Sequence, residues 1–177
     1  MKKIPSLIRE LFEVILIAFL PLFIISQFVA RPFIVQGASM EPNFQNGNYL
    51  IIDMISYKFS DPERGDAVVF RYPGNRSLFY IKRIIGLPGD RVVLRNGDVF
   101  VNDKIIEEKY SSLDIDSLAF NQTNFFLTKN QFFVMGDNRM MSFDSRSWGP
   151  LERSDIIGSV RLRLWPLSDL EFFRNSN

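Results

Sequence analysis

The sequence contains neither cysteine nor histidine among its 177 residues. Without cysteine there is no disulfide, no thiol nucleophile and no thiolate metal site. Without histidine, the Ser-His-Asp and Cys-His catalytic arrangements and the usual zinc sites are excluded as well. A nucleophilic serine in this chain would need a lysine, a carboxylate or a rarer group as its base. We therefore predict chemistry that uses no metal and no cofactor.

The sequence also has no large excess of charge of one sign, because 21 basic and 20 acidic side chains leave a net charge of +1. This balance gives no electrostatic reason to expect a nucleic-acid partner. Aromatic residues are abundant, with 18 Phe, which fits either a Phe-packed core or an apolar surface that faces lipid. The length allows one domain of ordinary size together with an anchor or tail.

The longest apolar segment lies near the N-terminus, from Leu11 to Val29, and is interrupted only by Glu13, Pro21 and Gln27. At about 1.5 Å per residue, a helix of this length spans roughly 28 Å, close to the hydrocarbon thickness of a bilayer. We interpret residues 11–30 as a transmembrane anchor in contact with membrane lipid.

Two alternatives to an anchor are weaker. A signal peptide cleaved after Ala30 would place Phe28 where a small residue is needed, and a buried core helix would not be apolar on nearly all faces. Basic residues are denser before the segment than after it. By the positive-inside rule, residues 1–10 are predicted to be cytoplasmic and residues 31–177 to form a β-rich catalytic domain on the extracytoplasmic, periplasmic or lumenal side.

The body after the anchor is predicted to be mainly β, an antiparallel sandwich or barrel-like fold. Short runs rich in β-branched residues alternate with turn signals, of which Asn96-Gly97 is the strongest hairpin signal. A long surface loop is expected at 107–124. The predicted strands are 33–35, 49–55, 67–72, 78–85, 91–94, 98–101, 104–106, 124–127, 131–135 and 156–164.

Ser39 lies in a small-residue turn, Gln36 to Pro42, directly after the apolar segment and a short strand. A serine presented in this way is a candidate nucleophile. On the turn alone, an ordinary juxtamembrane turn is the favoured interpretation.

Lys82 is the one lysine in an apolar setting, because strand alternation places it on the same face as Leu78, Tyr80 and Ile84. A lysine with an ordinary pKa of about 10.4 is protonated at neutral pH, whereas burial disfavours the charged form and produces a base. The alternative is a lysine whose stem packs while its ammonium group reaches water.

A dense polar segment, Gly136 to Ser147, follows the predicted strand 131–135. In this segment Asp144 and Arg146 are spaced to pair on one face, and Ser142 and Ser145 could donate hydrogen bonds to a neighbouring amine. A solvated turn is the alternative interpretation.

Taken in order, these features resemble those of the type I signal peptidases, the membrane-anchored Ser/Lys serine proteases of family S26 that remove leader peptides from exported proteins. The resemblance extends from about residue 10 to residue 165, and the absence of histidine agrees with it. It is carried by five stretches: the N-terminal anchor, Ser39-Met40 with Pro42, Arg64-Gly65-Asp66, Tyr80 to Asp90, and Gly136 to Arg146.

The resemblance implies that Ser39 is the nucleophile and Lys82 the general base. It implies further that Ser142 hydrogen-bonds the lysine, while Asp144 and Arg146 form a salt bridge that braces the site. The oxyanion hole would use the backbone N–H of Ser39. Because Gly37 stands where some members have a serine, the second donor would be a backbone N–H near Gly37 or a water.

For the substrate, the resemblance implies preprotein signal peptides cleaved after Ala-x-Ala-like sequences, bound as extended strands with Phe33, Ile34 and Val35 lining shallow pockets. A bacterial cytoplasmic membrane and a thylakoid membrane both fit.

Two other classes of protein share some of these features. One is the self-cleaving Ser/Lys repressors, but the N-terminal apolar span and the lack of a helix-turn-helix pattern argue against a repressor. The other is a catalytically silent membrane-anchored binding protein, which the intact Ser39 and Lys82 argue against.

Overall fold

The computed structural model describes residues 6–95, 97–106, 110 and 123–173. Its first element is helix α1, Ser6–Phe28, which contains Pro21. The helix begins before the predicted anchor and ends before residue 30, because Ala30 already pairs with Asp53 in a β-sheet. Within the part of the chain that the structure describes, no helix has the combination of length and apolarity that crossing a membrane demands.

The remainder of the described chain is mainly antiparallel β, which confirms the predicted class of the body. A short helix, α2, Ser145–Trp148, follows the ninth strand. The strands in chain order are β1 Ala30–Ile34, β2 Tyr49–Asp53, β3 Ala67–Tyr72, β4 Asn75–Gly86, β5 Arg91–Arg95, β6 Asp98–Val101, β7 Lys104–Ile105, β8 Thr123–Phe126, β9 Gln131–Met135, β10 Leu151–Glu152, β11 Ile156–Trp165 and β12 Glu171–Phe172.

The strands form two sheets, and the sequence did not predict which strands belong to each. The larger sheet has the order β1-β2-β11-β3-β4-β9-β10, with β12 paired to β11, and the smaller has the order β7-β6-β5-β8. Successive residues of β3 pack on opposite faces of the sheet. Val69 packs in a cluster with Val35 and Met40, whereas Val68 packs in a cluster with Phe70 and Ile84. The larger sheet is therefore buried on both faces near β4, the strand that carries Lys82.

Three predicted strands, β3, β6 and β9, have the observed bounds, and the others differ at their ends. Strands β10 and β12, each two residues long, were not predicted, because neither lies in a run rich in β-branched residues. The predicted hairpin is present, with Arg95 opposite Asp98, although Asn96 lies outside the described residues. The predicted loop at 107–124 also lies outside them, apart from Tyr110 and the first two residues of β8.

Candidate active site

Ser39 lies in the turn after β1, and a segment following β9 holds its backbone in place. Its carbonyl accepts a hydrogen bond of 3.1 Å from the Asn138 N–H, and the next side chain, Met40, is completely buried. A Cβ at Gly136 would collide with the Ser39 carbonyl and with the Ser142 side chain. Only glycine at position 136 therefore lets the polar segment approach the serine this closely.

Lys82 lies on β4 with only 4% of its surface exposed. Its Nζ donates hydrogen bonds to Ser39 Oγ, at 2.7 Å, and to the Ile81 carbonyl, at 3.0 Å. Burial lowers the pKa of Lys82 to about 8; the carboxylates of Asp144 and Asp137 act in the opposite direction and the guanidinium of Arg146 adds to the lowering. A neutral amine within hydrogen-bond distance of a serine hydroxyl is therefore accessible at mildly alkaline pH.

Asp144 organises the segment behind the serine and is itself fully buried. Its carboxylate accepts hydrogen bonds from the Gly136 N–H at 2.9 Å and from the Arg146 Nε at 2.7 Å. Arg146 also donates to the Arg139 carbonyl at 2.7 Å. The structure thus brings together Asp144 and Arg146, as the resemblance implies. This carboxylate has many donors, and removing either charge of the pair would leave the other charge buried without this ion pair.

Ser142 lies beside Gly136 in the same segment. Its hydroxyl donates to Asp144 Oδ2 at 2.6 Å, while the amine of Lys82 is bonded to Ser39 and to a backbone carbonyl. The role toward the lysine that the resemblance implies for Ser142 stays a prediction. The Ser145 hydroxyl accepts a hydrogen bond from the Val134 N–H at 3.1 Å.

A second buried ion pair was not singled out from the sequence. Arg83, the neighbour of Lys82, binds Asp137 through Nε at 2.8 Å and Nη2 at 2.6 Å. Asp137 also accepts a hydrogen bond of 2.9 Å from Asn43 in the turn that carries Ser39. This pair therefore links the serine turn, β4 and the polar segment. The signal that could have revealed it is one charged residue of opposite sign inside each of two stretches that carry the resemblance, Arg83 in Tyr80 to Asp90 and Asp137 in Gly136 to Arg146.

A cleft of about 510 Å³ leads to Ser39 and Lys82. The predicted pocket residues Phe33, Ile34 and Val35 line one side of it, and residues 77–82 of β4 line the other. β9 pairs with β4 only from Arg83 onward, and β1 pairs only with β2. Within the described residues both strands therefore present an unpaired edge to the cleft, which suits the binding of an extended chain.

Two backbone N–H groups in the turn that carries the Ser39 hydroxyl, those of Gly37 and Ser39, differ in whether another group of the protein already accepts their hydrogen bond. The Gly37 N–H donates to Asn46 Oδ1 at 3.0 Å, so this predicted donor is engaged within the protein. Among the described residues, no acceptor within hydrogen-bond distance takes the N–H of Ser39. The Ser39 N–H is therefore available as a hydrogen-bond donor beside the cleft, whereas the Gly37 N–H is not.

Comparisons with known proteins identify the class of the molecule. The family model described as signal peptidase, peptidase S26, matches residues 8–165. Signal peptidase IB of Staphylococcus aureus strain Mu50 is 34% identical over 187 residues, covering 96% of this chain and 96% of that protein. A probable signal peptidase I-2 of Synechocystis is 40% identical over 148 residues, covering 81% of this chain and 66% of that protein.

A solved structure agrees with these sequence relatives. The crystal structure of a signal peptidase I from Enterococcus faecalis has a TM-score of 0.50 and 26% identity, and it covers 56% of this chain and 97% of the other. The molecule is a hydrolase of the serine endopeptidase class. The chain belongs to the signal peptidase family, peptidase S26, which confirms the resemblance found in its sequence.

Proposed function

We propose that this chain removes N-terminal signal peptides from exported proteins after Ala-x-Ala-like sites, with Ser39 as nucleophile and Lys82 as general base. The observation that carries the proposal is the 2.7 Å contact between Ser39 Oγ and Lys82 Nζ at the cleft. The lowered pKa of the buried lysine supports its role, because only the neutral amine can accept the serine proton.

The proposed reaction has two stages. Neutral Lys82 takes the hydroxyl proton as Ser39 Oγ attacks the scissile carbonyl carbon, and the oxyanion is stabilised by the Ser39 N–H. The C–N bond then breaks as the lysine ammonium gives its proton to the leaving amine. In the second stage Lys82 takes a proton from a water that attacks the acyl ester. The bond between the acyl carbon and Ser39 Oγ then breaks, and the lysine ammonium returns the proton to Oγ as the new C-terminal carboxyl group is released.

Three other side chains support this pair without reacting. Asp144 and Arg146 fix the segment that carries Gly136, and Gly136 packs directly on the carbonyl of Ser39. Ser142 donates to Asp144 and so acts on Lys82 through that carboxylate. We expect their effect to be on the position and pKa of the lysine and not on the reacting atoms.

The substrate lies in the cleft as an extended strand along the free edges of β1 and β4. Backbone hydrogen bonds to these edges supply affinity, while the apolar side chains of Phe33, Ile34 and Val35 contact the small residues before the scissile bond. The aromatic rings of Phe33 and Phe79 touch, with centroids 5.5 Å apart, which keeps the pockets on this side shallow.

Cleavage of a preprotein or peptide with an Ala-x-Ala site by the purified chain tests the function, and its pH dependence tests the base. Because the pKa of Lys82 is lowered to about 8, kcat/KM should rise about tenfold per pH unit below that value and level off above it. A profile that stays flat from pH 6 to pH 10 would exclude Lys82 as the base.

Membrane attachment is part of the same proposal, with the body on the extracytoplasmic side of a bacterial or thylakoid membrane. It rests on the apolar sequence of α1, whose exposed side chains include Leu11, Phe12, Ile17 and Phe19. Deleting residues 1–28 should move the protein from the carbonate-resistant membrane fraction to the soluble fraction. Recovery of the full chain in the soluble fraction would contradict attachment through α1.

A further inference from the structure

Two exposed apolar side chains in the polar segment serve no role in the proposed chemistry. Met141 is 67% exposed and Phe143 is 51% exposed, yet both line the cleft that leads to Ser39. Large apolar side chains exposed beside a binding cleft mark a contact surface more often than those scattered singly elsewhere.

Phe143 lies on the opposite side of β4 from the pocket formed by β1, and Met141, two residues before it, lines the same cleft. Phe143 contacts Tyr72, with ring centroids 5.9 Å apart, and Tyr72 stacks on Tyr80 at 4.9 Å. Tyr80 lies on the same face of β4 as Lys82, whose Nζ is 5.6 Å from the ring centroid. Phe79 points to the other face, where its ring meets Phe33. The cleft therefore has two apolar walls, one on each face of β4.

In an extended substrate, the direction of each side chain determines which wall of the cleft it contacts. Successive side chains of a strand point to opposite faces, so a peptide along the edge of β4 directs every second side chain to each wall. The two alanines of an Ala-x-Ala site share one face, and the x residue between them faces the other. The shallow wall containing Phe33 suits the alanines, which leaves the x residue facing Met141 and Phe143.

We propose that Met141 and Phe143 form a specificity wall that binds a large apolar or aromatic side chain at the x position of the cleavage site. The wall is preformed, since Phe143 rests on Tyr72 and the Met141 N–H is fixed by Asn138 Oδ1 at 3.2 Å. This inference rests on the proposed function, because it assigns a subsite to the substrate of that reaction.

The test compares cleavage of peptides that differ only at x, using the full-length chain in detergent micelles. For x as Phe or Leu, kcat/KM should exceed the value for x as Ser by about tenfold, the scale of discrimination that an apolar pocket provides. In the double variant Met141→Asn, Phe143→Ala this ratio should fall to near one. Met140→Asn is the matched control, because Met140 is 57% exposed but does not line the cleft, and it should keep the wild-type ratio.

The outcomes separate the two proposals. Cleavage of all the peptides with equal kcat/KM by the wild-type chain would overturn the specificity wall and leave the proposed function standing. An unchanged preference in the double variant would also overturn the wall. Failure of the wild-type chain to cleave any Ala-x-Ala peptide would contradict the proposed function itself. The preference of the wild-type chain for Phe or Leu over Ser at x tests the specificity wall even where a variant folds poorly.

Discussion

Lys82→Met is expected to lower kcat/KM by about a thousandfold or more while the protein keeps its fold. Methionine matches the length and apolar stem of lysine but can neither accept the Ser39 proton nor return one to the leaving amine. General-base catalysis alone contributes about 10² to 10⁴, and loss of a base that acts with a nucleophile costs more. The measurement is the rate of cleavage of an Ala-x-Ala peptide at pH 8.

The same variant should be at least as stable as the wild type at pH 7. The lowering of the Lys82 pKa from 10.5 to about 8 means that burial disfavours the protonated folded state by about 3 kcal/mol. Below pH 8 both the folded and the unfolded wild type are protonated, so this cost applies in full. Between pH 8 and 10.5 the unfolded state holds the extra proton, so the stability of the wild type rises with pH.

The stability advantage of Lys82→Met should therefore shrink as pH rises from 8 toward 10.5, measured by denaturant unfolding at several pH values. Lys58→Met is the matched control, because Lys58 is an exposed lysine at the end of a short helical turn. It should change neither activity nor the pH dependence of stability. Near-normal cleavage by Lys82→Met would contradict the assignment of the base.

Ser39→Ala should also lower kcat/KM by at least about a thousandfold, because no hydroxyl remains to attack the scissile carbonyl. The fold should persist, because the carbonyl of residue 39 keeps its bond from the Asn138 N–H and only the bond to Lys82 is lost. Thermal unfolding monitored by circular dichroism checks that the loss is chemical and not structural.

Two neighbouring serines provide controls for Ser39→Ala. Ser142→Ala removes the donor to Asp144 and should reduce the rate to a smaller extent, with a shifted pH profile. Ser147→Ala changes an exposed serine of the same segment and should have no effect. If Ser39→Ala retained substantial turnover while Ser142→Ala did not, the nucleophile would have been assigned to the wrong serine.

Many of the strands could be predicted, because the residues that favour a strand or a turn lie next to one another in the sequence. Strand β3 combines β-branched residues with turn residues at both ends, and its predicted bounds match those observed. The apolar surroundings of Lys82 could also be predicted, because strand alternation alone places it on the same face as Tyr80 and Ile84. The absence of histidine then left a lysine, a carboxylate or a rarer group as the possible base for Ser39.

The parts that escaped prediction depend on contacts between distant residues. The buried pair of Arg83 and Asp137 joins positions 54 residues apart, and no local pattern records their approach. The bond from the Ser142 hydroxyl to Asp144 was not predicted either, because the direction of a hydroxyl depends on the acceptors that the fold brings around it. The separation of β5 to β8 into a second sheet likewise follows from pairing that spacing does not specify.

The most direct test of a Ser39–Lys82 catalytic pair is the pKa of the Lys82 amine itself. It can be followed by NMR of protein with ¹³C-labelled lysine side chains in micelles, with Lys82→Met identifying the resonance. Titration near pH 8 is the predicted result and would show a base that is available under physiological conditions. Titration near 10.5 would show an ordinary ammonium group and would contradict its role as the base for Ser39.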